Sequence, residues 1–184
     1  MRAWLAVLLF FMPWAVLADE RVSICHGYDC LVQEDIRFDE DRLGEISRLL
    51  NAAVDAAEER KILSEVIGRL YAWAGEQSVI KNDRGGNYAD AGVAGKMDCI
   101  DHSTSTTRLL RLLEMRGCLR WHRVLEIDVR YWAFFFPAHF SAVIEEKMES
   151  EAGRFVVDSW FVDNGQPAVI LPLADWKRGA GPDV

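Results

Sequence analysis

Cys99, His139 and Asp158 carry, in chain order, the side chains that thiolate acyl transfer requires. A thiolate attacks a carbonyl carbon, an imidazole takes up the proton and returns it to the leaving group, and a carboxylate orients the imidazole. Cys99 sits in Met97-Asp98-Cys99-Ile100-Asp101-His102, at the head of a long helical pattern. Free N–H groups and the positive end of the macrodipole at a helix N-terminus favour a thiolate and can receive a substrate oxyanion. Ser103 to Thr107 are weak intrinsic helix formers, so a helix start kept there marks a position that matters. The bland alternative is a buried core thiol.

The imidazole must be chosen from four. His122 falls on the polar face of a strand between arginines and reads as solvated, and His26 lies between two cysteines. His102 is one turn along from Cys99, able to line a site but poorly placed to act as its base. His139 opens an apolar strand after Phe134-Phe135-Phe136-Pro137, and Asp158 lies inside Phe155-Val156-Val157 and Trp160-Phe161. A carboxylate there is costly to bury without a partner. A hairpin apex between Met148 and Glu149 would set His139 directly opposite Asp158. The turn-forming residues run from Met148 to Gly153, and a later apex makes the pairing diagonal.

Holding these groups requires helices first and strands second. Apolar residues at three- and four-residue steps predict helices over Phe38–Val54 and Ala56–Ile80. A turn-rich loop runs from Lys81 to Lys96. A third helix begins near Cys99 and ends at Arg116, with Gly117 at the usual left-handed position. Odd-numbered apolar residues from Leu119 to Val129 predict a strand with odd positions inward. Further strands are expected over His139–Glu146, Arg154–Phe161 and Ala168–Leu171, with turns at Gly153 and Asn164-Gly165. The fold class is α+β: N-terminal helices, then a nucleophile-bearing helix packed on an antiparallel sheet.

Met1 to Ala18 has the shape of a secretory signal peptide: Arg2, an apolar run, then small residues before Asp19. The apolar run is short for a membrane span, so the mature chain from Asp19 to Val184 is expected as one domain in the periplasm or secreted. The formal charge is −8, and loss of Arg2 makes it −9. That balance speaks against nucleic acid, which wants a basic face. In an oxidising compartment Cys25 and Cys30 are the natural disulfide pair. Cys118 reads as a small buried hydrophobe, which leaves Cys99 as the thiol without a structural task.

Met97-Asp98-Cys99-Ile100-Asp101, Ala138-His139-Phe140-Ser141-Ala142-Val143 and Val156-Val157-Asp158-Ser159-Trp160 together resemble the transglutaminase-like cysteine proteinase superfamily. Their order and spacing are similar to those of its bacterial periplasmic branch, over roughly Asn82 to Trp176. The resemblance implies a papain-like core, with Cys99 as nucleophile, His139 as general acid/base and Asp158 as the orienting carboxylate. It also implies an oxyanion hole from the Cys99 N–H and a donor on the preceding loop, for which Asn87 and Tyr88 are candidates. Trp132, Phe134, Phe136 and Trp160 are cleft walls or core. That branch places acids on both sides of its nucleophile for calcium. Here Ile100 follows Cys99, so no cofactor is expected, and Asp98 and Asp101 are the weak calcium candidates.

The resulting expectation is an exported cysteine protease or acyltransferase acting on protein or peptide amides through a thioacyl intermediate. Hydrolysis and transamidation differ in whether water or an amine takes the acyl group. The alternatives are a catalytically silent papain-like domain that binds a periplasmic peptide or protein and, ranked lower, a cell-wall peptide hydrolase. The latter usually has Ser-Gly after Asp-Cys, where Ile100-Asp101 stands. No oligomeric state is implied.

Overall fold

The computed structural model describes residues 19–87, 89–132, 136–148 and 153–182, with the side chains of 132–138 outside that description. The leader segment therefore lies outside it, as do Tyr88, Phe134 and the side chains of Trp132 and Phe136. The architecture is α+β with antiparallel sheets. Among the described residues no helix is long and apolar enough to cross a membrane.

The first elements are not helices, which corrects the expected order. A hairpin of β1 (Glu20–His26) and β2 (Val32–Phe38) precedes them, with Val22 opposite Ile36 and Ile24 opposite Glu34. Val22, Ile24, Ile36 and Phe38 alternate inward into the core, a period-2 pattern diluted by charged neighbours. The Cys25–Cys30 disulfide closes the hairpin.

Helix α1 (Glu40–Asn51) starts where Asp39 accepts the Arg42 N–H at 2.8 Å and buries Leu43, Ile46 and Leu50. Helix α2 (Ala56–Gln77) is capped by Asp55 and buries Leu63, Val66, Ile67 and Leu70. A 3₁₀ turn over Val79–Asn82 then leads into the loop before Cys99. Helix α3 (Cys99–Met115) carries Leu109, Leu110, Leu112 and Leu113 into the same core. It ends at Gly117, whose φ of 71° is the left-handed conformation that stops a helix.

The main sheet runs β3-β5-β6-β7, with β4 also pairing β5. The single strand expected after Gly117 is two: β3 (His122–Val124) and β4 (Asp128–Trp132), which pair with opposite ends of β5 (Phe136–Glu146). Antiparallel β6 (Arg154–Asp158) and β7 (Val169–Pro172) follow, and a short helix α4 (Leu173–Lys177) sets Trp176 back against β6.

The expected phase is also inverted at β3, where His122 and Val124 are buried and Arg123 is exposed. The cause is Glu59 on α2, which is fully buried. Its carboxylate accepts N–H groups from Arg120, Trp121 and His122, and His122 Nδ1 lies 2.8 Å away. Burial pushes the Glu59 carboxyl up, but the His122, Trp121 and Arg120 bonds outweigh it and hold it below its ordinary value. The histidine read as solvated is thus a clamp between α2 and β3.

Candidate active site

The position of Cys99 is built by its cap. Asp98 is extended (φ −90°, ψ −177°) and its Oδ1 accepts the Asp101 N–H at 2.8 Å. Asp101 Oδ2 accepts the Asp98 N–H at 3.1 Å, so the two acids form a reciprocal capping box around Cys99. Cys99 is half-buried, and the backbone N–H of Phe140 on β5 acts on its sulfur. Burial pushes the thiol up from its ordinary value, and the charges of Asp98 and Asp158 add to that. The Phe140 N–H works the other way and is outweighed. This differs from the helix-start argument alone, because the flanking carboxylates oppose the macrodipole.

His139 and Asp158 pair at 2.7 Å, Nε2 to Oδ2, and each is 2 % exposed. The β5–β6 ladder sets Val157 opposite Ala142, which makes the His139–Asp158 contact a diagonal one on a shared face. Asp158 is fully satisfied. Its Oδ2 also accepts the indole N–H of Trp176 at 3.1 Å, and its Oδ1 accepts the Trp160 N–H at 3.3 Å. A carboxylate only accepts, so His139 Nε2 is the donor in this bond. Trp160, Phe161 and Trp176 surround the imidazole at ring distances of 4.8, 5.3 and 5.8 Å, a dry enclosure. The Asp158 charge and the Phe140 backbone N–H both act on the Cys99 thiol, and α3 packs on β5 and β6.

The loop inside the disulfide packs on this helix start. Gly27, Tyr28, Asp29 and Cys30 all have positive φ, between 52° and 85°, a conformation that costs an L residue about 1–2 kcal/mol. The resulting left-handed turn aims successive N–H groups at the two acids. Tyr28 and Cys30 donate to Asp101, each at 2.8 Å, and Asp29 donates to Asp98 at 3.0 Å. Burial, countered in part by these amides, pushes the Asp101 carboxyl up to about 6. The weak calcium candidates are thus carboxylates engaged by backbone amides. Cys25, Cys30 and Asp101 also form a metal-sized cluster, but both sulfurs are in the disulfide.

The loop before Cys99 is tied to the same turn. Tyr28 donates its hydroxyl to Asp90 at 2.5 Å, and Asp90 also receives Asn87 Nδ2 at 2.7 Å and pairs with Lys96. Asn87 Oδ1 accepts the Ala89 N–H. The Asn87 side chain is therefore turned into its own loop. Of the aromatic wall candidates, Trp160 packs against His139 with the two rings tilted by 55°.

Trp176 was not foreseen, because a lone aromatic in a short polar segment gives no period. Also missed was a buried chain of polar groups behind the site. His102 Nε2 lies 2.9 Å from Asp83 and its Nδ1 2.8 Å from Ser159 Oγ, which continues to Thr106 and Tyr71. Asp83 also accepts the Met97 N–H at 2.9 Å. Burial pushes the Tyr71 hydroxyl up to about 12. This network joins α3, the loop ahead of Cys99 and the residue after Asp158, so it fixes the thiol's helix relative to the carboxylate's strand. His102 thus serves in the scaffold rather than as base.

No protein-family model matches the chain, and neither a curated protein nor a solved structure matches it.

Proposed function

We propose that the chain is an exported thiol enzyme that cleaves or exchanges amide bonds in a protein or peptide. The observation that carries the reading is the buried His139–Asp158 pair beside a half-buried Cys99 at a helix start. In this reading His139 Nδ1 takes the Cys99 proton as sulfur attacks the carbonyl carbon. The Cys99 N–H, at a helix position without an intrahelical partner, faces the developing oxyanion. His139 then protonates the leaving amine, and water or an amine releases the thioacyl group. Asp158 keeps the imidazole oriented and stabilises its positive charge, and Trp160, Phe161 and Trp176 exclude water from the pair. Export is supported by the leader-like sequence and the Cys25–Cys30 disulfide.

The raised proton affinity of the thiol favours a second reading, a silent cleft that binds a peptide or protein partner. The pH dependence of thiol alkylation separates the two. A rapidly reacting Cys99, lost in Cys99→Ala and slowed at least tenfold in His139→Ala, is the expected result. A slow thiol with an ordinary value of about 8.5, indifferent to His139, refutes the enzyme and leaves the binding domain.

A further inference from the structure

We propose that the Gly27–Cys30 loop is a positioning element for the Cys99 thiol, locked by the Cys25–Cys30 disulfide, and that reductive opening of that bond lowers Cys99 reactivity. The inference rests on Cys99 acting as the nucleophile and concerns its regulation. Four observations support it. The loop's amides end on Asp98 and Asp101, the two acids that flank Cys99 and shape its cap. Gly27 donates to Lys96 O and Tyr28 to Asp90, so the loop also holds the segment leading into Cys99. Tyr28, Asp29 and Cys30 keep a left-handed conformation that three successive L residues do not hold unaided, and the disulfide spans that turn. Finally, Arg108 Nη1 lies 3.4 Å from Cys25 Sγ, in position to stabilise a thiolate there.

That last contact sets the direction of opening. Cys25 is fully buried and Cys30 only half-buried, so Cys30 Sγ is the sulfur open to attack. A thiolate of a dithiol reductant bonds to Cys30 Sγ, the S–S bond breaks, and its electron pair leaves on Cys25 Sγ beside Arg108. The reductant's second thiolate then displaces Cys30. The reductant ends as a disulfide, the protein gains two electrons, and the two thiol protons end on Cys25 and Cys30. Released from the turn, Asp98 and Asp101 lose three amide dipoles that offset their charge next to Cys99. Asp158 on β6 and the Phe140 N–H on β5 act on the thiol from elements the disulfide does not touch. The net change at Cys99 is more negative field and a looser cap, and both slow its reaction.

The test compares oxidised mature protein with protein reduced by dithiothreitol and desalted. Iodoacetamide labelling is followed at Cys99 by peptide mass spectrometry across pH, with far-UV circular dichroism on each sample. The expected result is labelling slowed about tenfold at neutral pH, because a thiol that holds its proton about tenfold more tightly has about a tenth of the thiolate. The whole pH profile moves to higher pH with it. The Cys25→Ser/Cys30→Ser double variant should behave like the reduced protein. Arg108→Gln should slow opening by dithiothreitol while leaving Cys99 labelling of the oxidised protein unchanged. Equal Cys99 rates in folded oxidised and reduced protein overturn the proposal. Global unfolding on reduction also overturns it, because the bond is then a staple of the whole fold. A Cys99 already slow and indifferent to His139→Ala in oxidised protein removes the nucleophile, and the proposal with it.

Discussion

Replacing Asp158 with Asn tests the three-donor geometry around its carboxylate with almost no change of volume. Asp158 accepts His139 and Trp176 on Oδ2 and the Trp160 N–H on Oδ1. Asn has one acceptor oxygen and one NH₂ group, so one orientation faces the NH₂ toward the Trp160 N–H at 3.3 Å. The flipped orientation faces it toward two donors and is worse. The first therefore wins, leaving one buried donor unsatisfied, which costs about 1–3 kcal/mol. With a urea slope of about 2 kcal/mol/M, a 2 kcal/mol loss lowers the unfolding midpoint by about 1 M. Asp158→Ala leaves all three donors facing a void and should cost more, about 3–5 kcal/mol. Chemical denaturation of the three proteins at neutral pH, with Cys99 labelling on the same samples, reads both effects. A midpoint unchanged in Asp158→Asn, or an Ala variant no worse than the Asn one, would refute the three-donor arrangement.

Glu59→Gln removes a buried acceptor of several N–H groups and should cost about 3 kcal/mol or more in a urea melt. Because the folded Glu59 value is lowered, its stabilisation is present above the ordinary 4.5 and is lost as pH falls through the folded value. The gap between wild type and Glu59→Gln should therefore narrow on acidification below that value. Asp101 has the opposite sign. Its folded value of about 6 lies above the unfolded 3.8, so its penalty is present at neutral pH and fades as pH falls through 6. Wild type should gain stability relative to Asp101→Asn between about pH 7 and pH 5, and a constant gap in thermal midpoints would count against the burial of its charge. Gly95→Ala should cost well beyond the roughly 1 kcal/mol of left-handed strain, because its Cβ would meet Val79 O at 2.1 Å. A cost near 1 kcal/mol by calorimetry would mean the loop gives way freely.

What sequence made legible was local or self-paired. Asp98 and Gly117 bracket α3 through capping chemistry carried by neighbouring residues. The His139–Asp158 contact was readable because a carboxylate in an apolar strand needs a partner, and a hairpin joins the two strands. Cys25 and Cys30 are close in the chain, at the two ends of one tight loop. Three of the failures involve distant partners. The phase of β3 is decided by Glu59, a residue on another element, and no alternation within Leu119 to Val129 contains that information. His102 is tied to Asp83 and Ser159 across separations of 19 and 57 residues. The proton affinity of Cys99 escaped for a related reason: the helix start was visible, but the thiol's burial and the added charges of Asp98 and Asp158 depend on the folded molecule.

The position of Trp176 in the chain gives the site an order of completion. The thiol helix emerges first in synthesis, the imidazole and carboxylate strands follow, and the indole that bonds Asp158 comes after all three. A chain threaded only as far as Asp158 has its cysteine, histidine and acid but not the donor on α4 that seals the pair. Full assembly thus coincides with passage of the segment after β7. A nascent or stalled polypeptide exposes an unsealed pair, and the finished one a closed pair.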